Sequence, residues 1–240
     1  MTVPDSLSAL HDSLVQKEWA TFASLADAFV IAWQPQRAAM ESDDDFVHEP
    51  LMAVLVSVLN NAVCGLETRW HALRLGCLMA RADANATALL RVGVVAAALR
   101  VLTDVSAEPD AYGGGCGGDA EAEAEARVEV SLALLQNVAY LTEGVSSILR
   151  EGGVGVVLGA MATHIASAPI QRNGLGVLWN LCDSDEHWVA FLSVGRAMVS
   201  TLLAALEAHP HDEKVEEKVV DMLWDFSSTG DGQGAEPPKP

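Results

Sequence analysis

The chain has 240 residues, of which 50% are hydrophobic and only 5% aromatic. That length buries a substantial core without disulfides or metals, and an apolar share carried by Ala, Val and Leu suits packed helices and disfavours an all-β fold. Fourteen Lys and Arg against 33 Asp and Glu give a formal net charge of −19, a field that repels phosphate backbones and anionic lipids and so excludes nucleic acid and membrane surfaces as expected partners. The first residues lack a basic stretch followed by an apolar run, so no secretory signal is read and the expected location is the cytoplasm, with the nucleus as the open alternative. Cys64, Cys77, Cys116 and Cys182 form no CxxC pair and have no matching histidine spacing. They read as reduced core thiols rather than a disulfide framework or a zinc site.

In chain order, residues 1–40 are expected to form N-terminal capping helices. Trp19, Phe22, Ala26, Phe29 and Trp33 recur at spacings of three and four before Pro35, an aromatic stripe that must be covered, by the first repeat or by another protein. Residues 41–49, with Glu41, Asp43, Asp44, Asp45 and Glu49, read as an acidic linker; they lack the alternating ligands and central Gly of a calcium loop. Ser42 there is either a helix cap or a phosphorylation site.

From residue 50 to 228 the chain is repetitive. Gln171–Cys182 (QRNGLGVLWNLC), Arg127–Ala139 (RVEVSLALLQNVA) and Glu217–Ser228 (EKVVDMLWDFSS) align with Asn137, Asn180 and Asp225 in register, 43 and 45 residues apart. Such spacings fall within the roughly 40–47 residues of HEAT and armadillo units. Thr68–Ala80 fits the same frame with Leu78 in register, but Leu78 stands further ahead of Asn137 than one unit; the Gly-rich stretch 106–120, read as a disordered insertion, accounts for the excess. Ahead of each such helix, Gly93, Gly152-Gly153 and Gly195 each predict a turn opening a second helix. A shorter first helix is expected over Asn85–Arg91, Thr142–Arg150 and Ser184–Val194. Residues 152–171 carry no charged side chain and are long enough to span a bilayer, but four glycines, Thr163, His164, Ser167 and Pro169 favour soluble helices. Residues 229–240 are Gly- and Pro-rich and are expected to be a disordered tail.

This pattern resembles the armadillo repeat, through Gly152-Gly153, Val156-Val157-Leu158 and above all Asn173–Leu181, NGLGVLWNL. The resemblance implies an all-α, right-handed α-solenoid of about four three-helix repeats, with an N-terminal helical cap and a Gly-rich loop insertion. On each third helix, positions −5, −2 and +1 from the register residue form an apolar stripe: Leu73, Gly76 and Met79; Leu132, Leu135 and Val138; Leu175, Leu178 and Leu181; Val220, Leu223 and Phe226. Positions −7, −4 and 0 form a polar or small row that a solenoid would turn to its concave face. Arg74, Asn137, Asn173, Asn180, Asp221 and Asp225 on that row are the candidate partner-binding residues. In the armadillo family the register Asn hydrogen-bonds the main chain of an extended peptide, a role the resemblance gives to Asn137 and Asn180; an internal bond between helices is the alternative for both. The nuclear-import branch of the family places Trp four residues before that Asn, where this chain has Ala133 and Gly176. Trp179 and Trp224 are expected to pack between repeats.

No grouping of Ser, His, Asp or Cys points to a nucleophile, the GxGxxG within Tyr112–Asp119 lacks its strand and helix, and the histidines are scattered. The expectation is a non-enzymatic adaptor or scaffold, without metal, cofactor or small-molecule substrate. It would bind a protein or peptide partner, a basic or neutral extended segment along the concave row. A structural subunit packing through its convex face or ends is the alternative.

Overall fold

The computed structural model describes residues 49–60, 66–107, 118–182, 191 and 194–228, with residues 9, 12 and 13. Within them the chain is entirely helical, without strands: α1 (Glu49–Asn60), α2 (Leu66–Met79), α3 (Asp83–Arg91), α4 (Val94–Ala107), α5 (Gly118–Val138), α6 (Thr142–Arg150), α7 (Gly153–Thr163), α8 (Ala168–Leu181), α9 (Gly195–Ala208) and α10 (Glu213–Ser228). The expected capping helices, most of the acidic linker, the Ser184–Val194 helix and the tail lie outside the described residues, apart from isolated positions.

Local chemistry explains the shorter helices. Both α3 and α6 carry an acid in the first turn, Asp83 and Glu143, and an arginine in the last, Arg91 and Arg150, each opposing the nearer end of the helix dipole. Each is preceded by an extended residue, Ala82 (φ −94°, ψ 131°) and Leu141 (φ −97°, ψ 137°). Each turns into the next helix through a left-handed glycine, Gly93 (φ 84°) and Gly152 (φ 71°). The chain bends by 77° between α3 and α4 and by 80° between α6 and α7. Segments 82–93 and 141–152 therefore share one backbone path.

Other junctions are set by packing. Gln171, fully buried, donates from Nε2 to the carbonyls of Met161 (3.0 Å) and His164 (2.9 Å), satisfying the end of α7 as the chain turns into α8. A Cβ on Gly144 would strike the Val138 carbonyl, so α6 crosses the end of α5 only because that residue is glycine. Gly195 opens α9 after Val194 (φ −113°) without the positive φ of Gly93 and Gly152, and a Cβ there would lie 3.0 Å from Phe226 Cζ.

Helix–helix contacts follow three rows. Helices α2, α5, α8 and α10 pack successively on one another; α1, α4, α7 and α9 do the same; and α3 packs on α6. Across the rows, α3, α4 and α5 form one mutual group and α6, α7 and α8 another. One continuous apolar cluster runs from Leu51 to Met222. Of the predicted apolar stripes, Leu132, Leu135, Val138, Leu175, Leu178 and Leu181 are fully buried, and Leu73 and Met79 nearly so.

Several boundaries need correction. The helix expected at Asn85 starts at Asp83, because Asp83 serves the first turn. The insertion is shorter than expected: α4 continues to Ala107 and α5 begins at Gly118, so its two ends belong to helices. Glu49, assigned to the linker, opens α1. On α10 the buried residues are Val215, Val219 and Met222, while Val220 is 53% exposed and Leu223 half-buried. Helix α8 packs against both α5 and α10, whereas α10 is the last described helix of its row. The uncharged run 152–171 is broken by the turn at 164–167, and no single helix among the described residues is long and apolar enough to cross a membrane.

Candidate functional site

One face of the α2–α5–α8–α10 row opens as a groove of about 1020 Å³. From α2 and the turn after it come Arg74, Cys77, Leu78 and Arg81; from α3, Asp83; from α5 and its following turn, Val130, Ala133, Gln136, Asn137 and Tyr140; from α8, Asn173; and from α10, Lys214. Of the six candidate residues, Arg74, Asn137 and Asn173 line this groove together. Asn180, Asp221 and Asp225 lie on the same helices but are not among its lining residues.

The asparagines form a ladder between neighbouring helices. Asn137 Nδ2 donates to the Cys77 carbonyl at 3.0 Å, with the Cys77 sulfur at 3.9 Å; Asn180 Nδ2 donates to the Gln136 carbonyl at 3.3 Å; and Asn173 Nδ2 donates to the Glu129 carbonyl at 3.3 Å. Each bond reaches back from one helix of the row to the helix before it. For Asn137 and Asn180 the acceptor is the residue just ahead of the preceding register position, so the two bonds are equivalent. The internal alternative for these amides is thus realised, and all three side chains are half-buried.

Gly176, at the position where the nuclear-import branch has Trp, is buried beneath Gln136, whose Cδ would lie 2.5 Å from a Cβ there. A large side chain has no room at that point unless Gln136 moves. Arg74, four residues ahead of Leu78, lies over the Trp70 ring at 5.6 Å from its centroid, and Lys218 lies over Trp179 at 5.5 Å. Trp179 packs against the core cluster and receives Lys218 from α10, which places it between two successive helices of the row. At the α2 end, His71 and Leu78 are buried, so not every position of the predicted row is accessible.

Electrostatics differ along the row. Burial pushes the Cys77 thiol up to about 12, with Arg81 opposing and Glu129 adding to the rise. Burial, reinforced by the Asp225 charge, raises the Cys182 thiol to about 12 as well. Both are unpaired thiols held in the protonated form and unsuited to nucleophilic work. The exposed Asp225 carboxyl is pushed above the usual range, first by partial desolvation and then by Asp221. Among the described residues, no three His, Cys, Asp or Glu side chains converge as metal donors.

Sequence reasoning missed Arg81, Gln136, Tyr140 and Lys214 as groove residues. A signal existed for two of them: Arg81 and Tyr140 both stand three residues after a register position, in the turn closing a third helix, and Tyr140 is 71% exposed. Comparison with known proteins returns no matching family model, no similar curated protein and no similar solved structure.

Proposed function

We propose that the chain is an armadillo-like α-solenoid that works as a non-enzymatic protein-binding adaptor, holding an extended segment of a partner along the α2–α5–α8–α10 face. The observation that carries this reading is the open groove built by one face of successive helices, with Arg74, Asn137 and Asn173 in its wall. Support for the solenoid comes from the three helix rows and from the backbone path that segments 82–93 and 141–152 share. An extended chain suits such a groove because its backbone N–H groups and carbonyls need partners along its length, and the wall supplies amides and cationic donors.

A second reading, a structural subunit packed through an end of the solenoid, is favoured by Leu203 (45% exposed) and Val220 (53% exposed) on the last described helices. Two substitutions separate the readings. Ala133→Trp fills the groove floor, and Leu203→Asp charges the end. Partners captured by the intact chain are expected to be lost from a folded Ala133→Trp variant and kept by Leu203→Asp. The opposite pattern overturns the groove reading in favour of the subunit.

A further inference from the structure

We infer that Gln136 is the side chain of α5 that hydrogen-bonds the main chain of the held segment, the role that the armadillo resemblance gives to its neighbour Asn137. The inference rests on the groove reading above and names the residue through which the groove meets a partner's backbone. Asn137 Nδ2 is committed to the Cys77 carbonyl at 3.0 Å, and Asn180 Nδ2 to the Gln136 carbonyl at 3.3 Å. The side-chain amide of Gln136 has no such commitment: among the described residues it neither donates nor accepts a hydrogen bond. Ala133, Gln136 and Asn137 stand three and four residues apart on α5, a spacing that sets them on one face, and all three line the groove.

Packing on α8 orients that amide. A Cβ on Gly176 would lie 2.5 Å from both Cδ and Nε2 of Gln136 and 2.8 Å from Oε1. Cδ is as near as either polar atom, so the flat face of the amide, not its polar edge, covers Gly176. The buried glycine is a platform that only a residue without a side chain provides. The edge, with an acceptor and two N–H donors side by side, faces the groove. An extended segment offers N–H groups and carbonyls along its backbone, and one primary amide can accept from the first and donate to the second whatever side chain the partner carries there. Holding the amide against Gly176 before the segment arrives lowers the ordering cost of making both bonds.

The test uses the full chain and a displayed library of random peptides about a dozen residues long; the peptide most enriched is made with a fluorescein label, and as a series in which each backbone amide in turn becomes an ester, and binding is read by fluorescence anisotropy. Gln136→Met, which keeps the length of the side chain and removes the amide, is expected to bind about tenfold more weakly, the equivalent of one to two neutral hydrogen bonds. Gly176→Ala keeps the amide but displaces it from its platform and is expected to weaken binding as well, while Gly155→Ala, the same change on the exposed side of α7, leaves binding unchanged. One ester in the series is expected to weaken binding to the intact chain and to cost nothing further in Gln136→Met. A peptide displaced by Ala133→Trp but bound equally well by Gln136→Met and Gly176→Ala overturns the assignment of Gln136 and leaves the groove reading intact. Enrichment of no peptide, or of one indifferent to Ala133→Trp, overturns both.

Discussion

Asn137, Asn173 and Asn180 each donate one amide hydrogen bond to a carbonyl of the preceding helix, which ties these candidate residues to the stability of the stack. Removing a half-buried bond of this kind costs about 1 kcal/mol, so Asn137→Ala and Asn180→Ala are each expected to lower unfolding stability by about that amount in urea titrations. Unchanged midpoints for both would show that the ladder carries no load. Asp225 provides a second prediction. Its folded carboxyl lies above the ordinary value, so the native state holds the proton more tightly than the unfolded chain, and stability falls as pH rises through that region. Asp225→Asn is therefore expected to raise stability at neutral pH and to leave it nearly unchanged at low pH; thermal melts across the acid range check this, and a loss at neutral pH contradicts it. The register asparagines were legible in the sequence as a pattern, but their donor bonds were not, because those depend on how closely adjacent helices approach.

At the scale of elements, glycines separate into those the packing requires and those it tolerates. Gly144 faces the Val138 carbonyl with no room for a Cβ, whereas Gly155 and Gly159 lie on the exposed side of α7 with nothing within 4 Å. Gly155→Ala and Gly159→Ala are expected to stabilise the fold by roughly 0.5–1 kcal/mol each through helix propensity, and Gly144→Ala to destabilise it by about 1–3 kcal/mol. Chemical unfolding of the three variants decides; destabilisation by the α7 changes would mean that this face is covered. The turn between α9 and α10 is tied to α8 by Arg172, whose Nε lies 2.7 Å from Asp212 Oδ2, and to the α7–α8 turn by His209 Nε2, 2.8 Å from the Ile165 carbonyl. The Arg172 guanidinium holds the Asp212 carboxyl below the usual range, helped by the Val215 and Lys214 backbone N–H groups. This contribution is present above the unfolded carboxylate value of about 3.9 and is lost as pH falls through the folded one. Asp212→Asn is thus expected to flatten the acid limb of the stability profile, and an unaltered limb would contradict the assignment. Element positions were readable from periodicity and glycine spacing, Thr142–Arg150 to the residue. Gly195 opens its helix as expected, though without the positive φ of Gly93 and Gly152.

At the scale of the molecule, the all-helical class followed from composition and period, since Ala, Val and Leu at helical spacing leave few alternatives. The lining of the groove did not follow, because its residues come from helices far apart in the chain. Arg81 and Lys214 are far apart in the chain and become co-lining residues only when α2 and α10 share one face of a stacked row. The incomplete burial of Val220 was likewise invisible to a pattern that treats every unit as having a successor. The most direct measurement of the central claim is a photo-cross-link map from the full chain, with a benzophenone amino acid placed in turn at Tyr140, at Ala133 and at Gly155 on the exposed side of α7. Partner adducts are expected from Tyr140 and Ala133 and none from Gly155; adducts from Gly155 alone would contradict binding along the groove.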